Sequence, residues 1–458
     1  MASLRNMWRW NLAGSRIFFQ ISRSDFRDIS AKVLPKECFK SKETVMVRYL
    51  CSKSGKNGAD NLGVSTTSPS DDSEGEPPTD RVSQSADDKS KNVKELLDSA
   101  QTEEDIVDEF DVSEIASDVL ADGTPQIPKD QQKPVGRVKV DPADRSIFLF
   151  PGQGAQFVGM GKQLLGYPNV KEIYDAASEI LGYDLLQLCL NGPKEELDKT
   201  INCQPAIFVT SIAGIQKLLH ENAWAVENCI ATAGFSVGEY AALVFSGAME
   251  FQDALRLVKV RAEAMQRASE VTPSGMASLI GRPTTRYKFL CAEARHYCEK
   301  VLGMVDPVCN VANYLFPDGR VIAGNVEALQ FISDNAKEFH IRNFKRLPVS
   351  GAFHTSLMAP AQPSFQRTIR SMKLEEPAIS VHSNIDGKRY RNIKRLSQLL
   401  TEQIVKPVKW EQTMQIMYGR HQGQTFPQTF EIGPGKQLGS LLSRVNAKAW
   451  KSYSNVEV

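Results

Sequence analysis

The chain has 458 residues and a formal net charge of +1, with 24% charged and 41% hydrophobic residues. This near-neutral balance argues against nucleic acid as the main partner, and no apolar run reaches the length of a membrane span. Eight cysteines are scattered without a Cys-x-x-Cys pair or a metal-binding spacing with histidine. We therefore expect buried thiols in a reducing compartment and no bound metal.

The first 24 residues combine arginines with large apolar side chains and contain no acidic residue. An amphipathic, acid-free start of this kind is typical of a mitochondrial transit peptide, which needs a positive helix face. A disordered basic tail is the alternative, although such a tail does not require large apolar residues. We predict a transit peptide over residues 1–51 and a location in the mitochondrial matrix.

Residues 52–144 are rich in Ser, Asp, Glu, Lys, Pro and Gly and contain few aromatic residues. A segment of this composition cannot bury enough apolar surface to offset the entropy lost on ordering. We predict a disordered linker. Its acidic stretch at 102–111 is interpreted as a solvated charge run, with a partner-docking helix as the alternative.

From residue 145 onward, short apolar runs alternate with helical patterns, which indicates βαβ units. We predict an α/β fold with a doubly wound, mostly parallel sheet, built from residues 145–272 and 348–458. Strands are predicted at 146–150, 229–233, 378–383 and 429–432, and helices at 170–181, 204–219, 239–244, 251–267, 396–404, 413–418 and 437–445.

The segment 273–347 has a different order of predicted strands and helices. Its predicted order is β-α-β-β-α-β, which is the order of a ferredoxin-like α+β subdomain, here inserted into the larger domain. The predicted elements are 276–280, 286–300, 307–312, 320–323, 326–339 and 343–349. A cleft between the two domains is the expected place for a ligand.

One turn of the large domain holds a serine between two glycines, in the stretch Gly234-Phe-Ser-Val-Gly238. In a strand–turn–helix of this kind the serine hydroxyl is exposed at the helix N-terminus, where backbone N–H groups and the helix dipole stabilise an oxyanion. The pattern alone is weak, because glycine and serine are common in any turn. Ser236 is therefore a candidate nucleophile or only a small turn residue.

A serine nucleophile needs a base, so a histidine must reach Ser236 in the fold. His354 is favoured because it follows a predicted strand where the chain re-enters the large domain. His296 and His340 fall in predicted helices of the subdomain and are most simply surface residues. The remaining histidines after the serine are His382 and His421.

Arg261 lies on the inward stripe of the predicted helix 251–267, together with Ala254, Val258 and Met265. A buried guanidinium without an anionic partner is costly. The residue therefore pairs with a buried Glu or Asp, or it forms a bidentate fork for a substrate carboxylate.

Several ordered motifs resemble the malonyl-CoA:acyl carrier protein transacylases and, more distantly, the acyltransferase domains of polyketide and animal fatty acid synthases. The resemblance covers about residues 147–445, and with the leader the chain looks like a mitochondrial member. The motifs are Phe150-Pro-Gly-Gln-Gly-Ala-Gln156, Gly159-Met-Gly161, Gln204-Pro-Ala206, Gly234-Phe-Ser-Val-Gly-Glu239, Val260-Arg261, Met265-Gln266, Gly275-Met-Ala277, Pro348-Val-Ser350, His354, Lys406-Pro-Val-Lys-Trp410 and Glu431-Ile-Gly-Pro-Gly435.

The resemblance implies roles for five residues at the reacting centre. Ser236 would be the acylated nucleophile and His354 its general base. The backbone carbonyl of Gln403 would orient the histidine in place of a carboxylate. The backbone N–H groups of Gln153 and Val237 would form the oxyanion hole, and the second follows the nucleophile as an elbow requires.

The resemblance also implies a substrate pocket. Arg261 would hold the free carboxylate of the malonyl group, and Gln204, Phe235 and Phe353 would line the pocket. Phe235 departs from the family, which commonly has His at this position, so the polarity of the pocket differs. Asn313 is carried over only weakly, because its segment is longer than in the family.

The function that the resemblance implies is transfer of malonyl from malonyl-CoA to the phosphopantetheine thiol of acyl carrier protein, through a malonyl-serine, for mitochondrial fatty acid synthesis. No cofactor and a monomeric state are expected. The alternatives are a serine esterase or thioesterase of the α/β-hydrolase type, and a silent scaffold that binds the carrier protein. Candidate basic residues for steering an acidic carrier protein are Lys345, Arg346, Lys406 and Lys409.

Overall fold

The structure is a computed structural model that describes residues 9–12, 15–18 and 141–458. The strands are β1 (Arg9–Leu12), β2 (Ser15–Phe18), β3 (Ser146–Phe150), β4 (Cys229–Gly234), β5 (Ser274–Gly281), β6 (Cys309–Phe316), β7 (Gly319–Asn325), β8 (Ile341–Arg346), β9 (Ser380–His382), β10 (Val408–Lys409), β11 (Gln428–Ile432) and β12 (Tyr453–Val456). The α-helices are α1 (Val170–Leu181), α2 (Leu185–Asn191), α3 (Lys194–Asp198), α4 (Thr200–Glu221), α5 (Ala223–Glu227), α6 (Gly238–Phe245), α7 (Phe251–Val271), α8 (Tyr287–Lys300), α9 (Val326–Asp334), α10 (Gln362–Arg370), α11 (Ile393–Gln403), α12 (Trp410–Tyr418), α13 (Gln437–Val445) and α14 (Ala447–Trp450).

The predicted leader and linker lie almost entirely outside the described residues. Within the leader, β1 and β2 pair as an antiparallel hairpin. The linker prediction extends to residue 144, and there the structure has a 3₁₀ turn, Pro142–Asp144, capped by the side chain of Asp141. Residues 141–144, which the prediction assigns to the linker, are therefore described together with the large domain.

The larger sheet is parallel and has the strand order β12-β11-β3-β4-β9. Its central strand β3 is buried along its whole length, as a continuous apolar run predicts. Phe148 and Phe150 pack into one hydrophobic cluster, whereas Ile147 and Leu149 pack into another on the opposite face. The sheet is therefore covered by a hydrophobic cluster on each face, which agrees with the predicted doubly wound fold.

The smaller sheet has the order β10-β6-β7-β5-β8. The strands β5 to β8 pair antiparallel, with α8 and α9 as the two connecting helices, so the predicted β-α-β-β-α-β order is confirmed. The two-residue strand β10 returns from the large domain and adds to the edge strand β6 in parallel. A strand this short carries no periodic pattern and was not predicted.

Most predicted elements agree with the structure in type and differ at their ends. Helix α4 begins at Thr200, one turn before the predicted start, and keeps Pro205 inside its first turns. It is buried on nearly every face, which places it in the interior of the large domain. The last strand, β12, was not predicted; it joins the sheet next to β11.

In the part of the chain that the structure describes, no helix is long and apolar enough to cross a membrane. The same residues contain no group of three or more His, Cys, Asp or Glu side chains able to hold a metal ion. The six cysteines between residues 141 and 458 are all buried and carry free thiols.

Candidate active site

Ser236 lies in the sharp turn between β4 and α6, at the carboxyl end of the parallel sheet. Its φ of 52° falls in the left-handed region, which residues other than glycine rarely adopt. The side chain of Asn384 holds this turn. Its Oδ1 accepts from the N–H of Ser236 at 2.7 Å, and its Nδ2 donates to the carbonyl of Gly234 at 2.7 Å. The hydroxyl is thereby presented at the start of a helix.

The two glycines around the serine are required by close backbone contacts. A Cβ added to Gly234 would lie 1.9 Å from the carbonyl carbon of Gly238. A Cβ added to Gly238 would lie 2.3 Å from the carbonyl oxygen of Phe150 in the neighbouring strand. Neither position has room for any side chain, so the Gly-x-Ser-x-Gly pattern has a steric cause here.

His354 lies in the loop between β8 and the 3₁₀ turn Ser356–Ala361. Its Nε2 is 3.0 Å from the Oγ of Ser236, and its Nδ1 is 2.7 Å from the backbone carbonyl oxygen of Gln403, the last residue of α11. A carbonyl oxygen only accepts, so Nδ1 carries the proton and Nε2 is the acceptor for the serine hydroxyl.

The protonation state of His354 follows from its surroundings. Burial, with a smaller contribution from the positive charge of Arg261, lowers the pKa of His354 to about 4. The imidazole is therefore neutral near pH 7 and can accept a proton.

The other histidines do not reach the serine. His296 is exposed on α8, and His421 is exposed in a loop. His340 is also exposed, but it lies in a turn with a φ of 58° because α9 ends at Asp334, which corrects the longer helix that was predicted. His382 is buried in β9, where its Nδ1 lies 2.8 Å from the carbonyl oxygen of Gly387.

Arg261 is fully buried on α7, and its hydrogen bonds go to neutral oxygens. Nη1 donates to Oε1 of Gln204 at 2.6 Å, and Nη2 donates to Oγ of Ser236 at 2.9 Å and to Oε1 of Gln403 at 3.0 Å. Nε is buried without a partner. The interpretation as a direct pair with a buried Glu or Asp is therefore wrong, and the guanidinium faces the serine hydroxyl.

The loop after β3 packs beside the serine turn. A Cβ on Gly152 would lie 2.4 Å from the carbonyl oxygen of Phe235, which shows how closely the two backbones approach. The next residue is Gln153, whose side chain lies within hydrogen-bond distance of Gln204 and Thr200. Among residues 141–458, no backbone carbonyl accepts from the N–H of Gln153 or of Val237, and the oxyanion hole stays a prediction.

The remaining predicted pocket residues lie nearby but differ in exposure. Phe235 is half-buried and packs against Trp410, with ring centroids 5.3 Å apart. Phe353 is 5% exposed and belongs to the main hydrophobic cluster. Asn313 lies on β6 opposite Val408 of β10, and its Oδ1 is buried without a partner.

A cleft of about 410 Å³ opens between the small sheet and the large domain, as expected from the domain order. His354 and Thr355 line one side, together with Val405 and Pro407. The opposite side comes from α8 and β6 and carries two basic residues, Lys288 and Arg295. The imidazole is thus reached from a cavity with a positively charged wall.

The four basic residues considered for steering a partner are only partly available. Lys345 is exposed on β8. Arg346 donates to Oε1 of Gln330 at 3.1 Å, and Lys406 forms an ion pair with Glu402 at 2.8 Å. Lys409 is half-buried in β10.

Sequence reasoning gave no role to three buried residues that contact the site: Glu239, Asn384 and Tyr390. Glu239 follows the serine motif and is fully buried, so its position in the motif was a signal that could have found it. Asn384 and Tyr390 come from a distant segment with no distinctive spacing. Only the fold brings them to the serine turn.

The folded part of the chain is similar to known proteins. Residues 147–426 match the family model described as the acyl transferase domain. The human protein named malonyl-CoA-acyl carrier protein transacylase, mitochondrial, is 56% identical over 317 residues, which cover 69% of this chain and 81% of the human protein.

Two solved structures are similar to the folded part. The acyl-carrier-protein S-malonyltransferase from Burkholderia pseudomallei matches with a TM-score of 0.61 and 33% identity, over 68% of this chain and 96% of that one. A malonyl-transacylase solved with its type II PKS acyl carrier protein matches with a TM-score of 0.60 and 30% identity, over 68% of this chain and 94% of that one.

Proposed function

The chain belongs to the acyl transferase family and, within it, to the mitochondrial malonyl-CoA–acyl carrier protein transacylases, and we propose how its residues carry out the transfer. The observation that carries the proposal is the contact of Ser236 Oγ with both His354 Nε2, at 3.0 Å, and Arg261 Nη2, at 2.9 Å. The nucleophilic oxygen therefore contacts both its base and the cation that would bind a substrate carboxylate.

In the first half-reaction, Nε2 of His354 takes the proton of Ser236 while Oγ attacks the thioester carbonyl of malonyl-CoA. The negative charge that develops on the carbonyl oxygen is stabilised by the N–H groups of Gln153 and Val237. Loss of one such donor typically raises the barrier by about 3 kcal/mol. When the tetrahedral intermediate collapses, the carbon–sulfur bond breaks and His354 returns its proton to the CoA sulfur.

In the second half-reaction, the thiol of the carrier protein's phosphopantetheine arm occupies the place that CoA left. His354 takes the thiol proton, and the sulfur attacks the carbonyl of the malonyl-serine. The same oxyanion donors act again. The ester bond then breaks, Oγ of Ser236 recovers a proton from His354, and the malonyl group leaves as a thioester of the carrier protein.

Arg261 selects malonyl in this proposal. Nη1 donates to the neutral Oε1 of Gln204, so a substrate carboxylate can replace this weaker acceptor with a charge-assisted hydrogen bond while Gln403 keeps its bond to Nη2. The basic wall of the cleft, Lys288 and Arg295, suits the phosphates of CoA and of the phosphopantetheine arm.

The support for an esterase is weaker, because His354 is oriented by a backbone carbonyl rather than by a carboxylate.

The same proposal covers the organisation of the chain. Residues 1–51 would act as the transit peptide and 52–144 as a linker, followed by a large domain, 145–272 and 348–458, with the inserted subdomain 273–347. The protein is mitochondrial by its relatives, and we place it in the matrix as a monomer that needs no cofactor.

The test is transfer of labelled malonyl from malonyl-CoA to carrier protein that carries its phosphopantetheine arm. The wild-type chain should form malonyl-carrier protein, whereas Ser236→Ala should form none and His354→Ala should form about 10²- to 10⁴-fold less. Exposed Ser440→Ala on α13 is the matched serine control. Rapid release of free malonate without carrier-protein product would instead indicate a hydrolase.

A further inference from the structure

Glu239 is a buried carboxyl that the transfer steps above do not use. It lies in the first turn of α6, three residues after the nucleophile, and is 0% exposed. Its Oε1 accepts from the hydroxyl of Tyr390 at 2.6 Å and from the N–H of Asn384 at 3.1 Å. Its Oε2 accepts from Nε2 of Gln403. A buried charge with three donors around it requires a structural or functional explanation.

Gln403 connects Glu239 to the reacting groups. Its backbone carbonyl accepts from His354, and its Oε1 accepts from Arg261 at 3.0 Å. Its Nε2 donates to Glu239 and also to the backbone carbonyl of Ser236, at 3.0 Å. This one residue therefore touches the base, the cation and the nucleophile's backbone, with the carboxylate of Glu239 behind it.

The orientation of the Gln403 amide is fixed by the charges on its two sides. As it stands, the amide oxygen faces the guanidinium and the amide NH₂ faces the carboxylate. If the amide were turned over, the NH₂ group would face the donors of Arg261, and the oxygen would face the acceptors of Glu239 and Ser236. Each contact would then be repulsive.

We propose that Glu239 is a positioning residue for malonyl transfer: through the Gln403 amide it keeps Arg261 aligned for the substrate carboxylate. This inference rests on the proposed role of Arg261. Glu239 does not touch the substrate, and the carboxylate acts only through the amide between it and the guanidinium.

Glu239→Gln tests this because the structure dictates how the new amide must sit. Tyr390 and Asn384 both donate to one oxygen of residue 239, so the new side chain places its carbonyl there and its NH₂ toward Gln403. The Gln403 amide then has to turn its oxygen toward residue 239. Arg261 consequently loses an acceptor and gains a repulsive neighbour.

The measurement is kcat/KM for malonyl-CoA and for acetyl-CoA, each assayed by transfer to carrier protein. Glu239→Gln should lower the ratio of malonyl to acetyl transfer about tenfold or more, since one charge-assisted hydrogen bond is lost. Gln403→Ala should lower the ratio too, and adding Glu239→Gln to it should cause no further drop. Exposed Glu172→Gln on α1 is the matched charge control and should keep the wild-type ratio.

The pH profile of the wild type provides a second readout, with Glu239→Gln as its reference. Burial raises the pKa of Glu239 to about 7, opposed by its donors and by the charge of Arg261. The charged or titratable groups facing it are Arg261, Tyr240 and Tyr390. The malonyl-to-acetyl ratio of the wild type should therefore rise with pH through about 7, and that of Glu239→Gln should stay flat.

An unchanged ratio in folded Glu239→Gln, or a wild-type ratio that is flat between about pH 5.5 and 8.5, would overturn the positioning role. Further loss in the double variant would also overturn it, because Glu239 would then act by another route. Failure of the proposed function looks different: the wild-type chain itself would then transfer no malonyl group.

Discussion

Replacing Arg261 with alanine separates recognition of the substrate carboxylate from the chemistry of acyl transfer. An acetyl group has no carboxylate, so in the variant acetyl transfer loses only the effect of the hydrogen bond between Arg261 and Oγ of Ser236. A malonyl group loses in addition two charge-assisted hydrogen bonds, each contributing about 1.5–3 kcal/mol. We therefore expect Arg261→Ala to act far more strongly on malonyl than on acetyl transfer.

The magnitude follows from what the guanidinium gives up when substrate binds. Its Nη1 already donates to Gln204 at 2.6 Å, so a carboxylate replaces an existing bond there. The lower part of the energetic range applies, and kcat/KM for malonyl-CoA should fall about 10²- to 10³-fold. The value for acetyl-CoA should change less than about tenfold.

The same variant should also move the pH dependence. The charge of Arg261 is the second cause, after burial, that lowers the pKa of His354. Without it, the acidic limb of kcat should shift to higher pH, although burial keeps the pKa of His354 below its usual range. The assay is transfer from competing malonyl-CoA and acetyl-CoA, resolved by the intact mass of the acylated enzyme. Equal loss on both acyl groups, or a limb that moves to lower pH, would refute the reasoning.

Three further predictions concern stability. Gly238→Ala should lower the free energy of unfolding by about 1–3 kcal/mol, because its Cβ would lie 2.3 Å from the carbonyl oxygen of Phe150. Gly166 has open space around it, so Gly166→Ala should leave the free energy of unfolding nearly unchanged in the same denaturant titration. The pKa of His354 is lowered from 6.5 to about 4, so the stabilisation from its neutral form is complete above pH 6.5 and is lost as the pH falls toward 4. The free energy of unfolding of His354→Ala should depend less steeply on pH between 4 and 6.5, and a slope identical to that of the wild type would contradict this. The pKa of Glu239 is raised from 4.5 to about 7, so the wild type loses stability as the pH rises across that window. Glu239→Gln should gain stability relative to the wild type with rising pH, and a difference that stays flat from pH 4.5 to 7 would show that Glu239 is ionised throughout the window.

The parts of the fold that carry long periodic patterns were predictable from the sequence. The helices at 170–181 and 437–445 and the strand at 146–150 have the predicted bounds, because apolar spacing and burial agree there. The order of the inserted subdomain was predictable for the same reason. Strands β10 and β12 were not, since short edge segments acquire their structure from neighbours that the sequence places far away.

Some residues of the site could likewise be predicted from the sequence, whereas the contacts between them could not. Ser236 was visible as a steric pattern, and the inward stripe of α7 drew attention to Arg261. Their contact with His354, 118 residues after the serine, is a property of the fold. The hydrogen bond between Glu239 and Gln403 joins residues 164 positions apart, so neither residue type nor spacing could reveal it. Local chemistry is readable from the sequence, whereas the network that orients it is not.

Peptide mapping of the acyl-enzyme shows which residue carries the malonyl group and whether carrier protein removes it. The wild-type chain is incubated with malonyl-CoA, quenched, digested and analysed by mass spectrometry, before and after addition of carrier protein with its phosphopantetheine arm. We expect one malonyl group on the peptide that contains Ser236, and its disappearance when carrier protein is added. A malonyl group on another residue, or a malonyl-serine that carrier protein does not remove, would contradict transfer through Ser236.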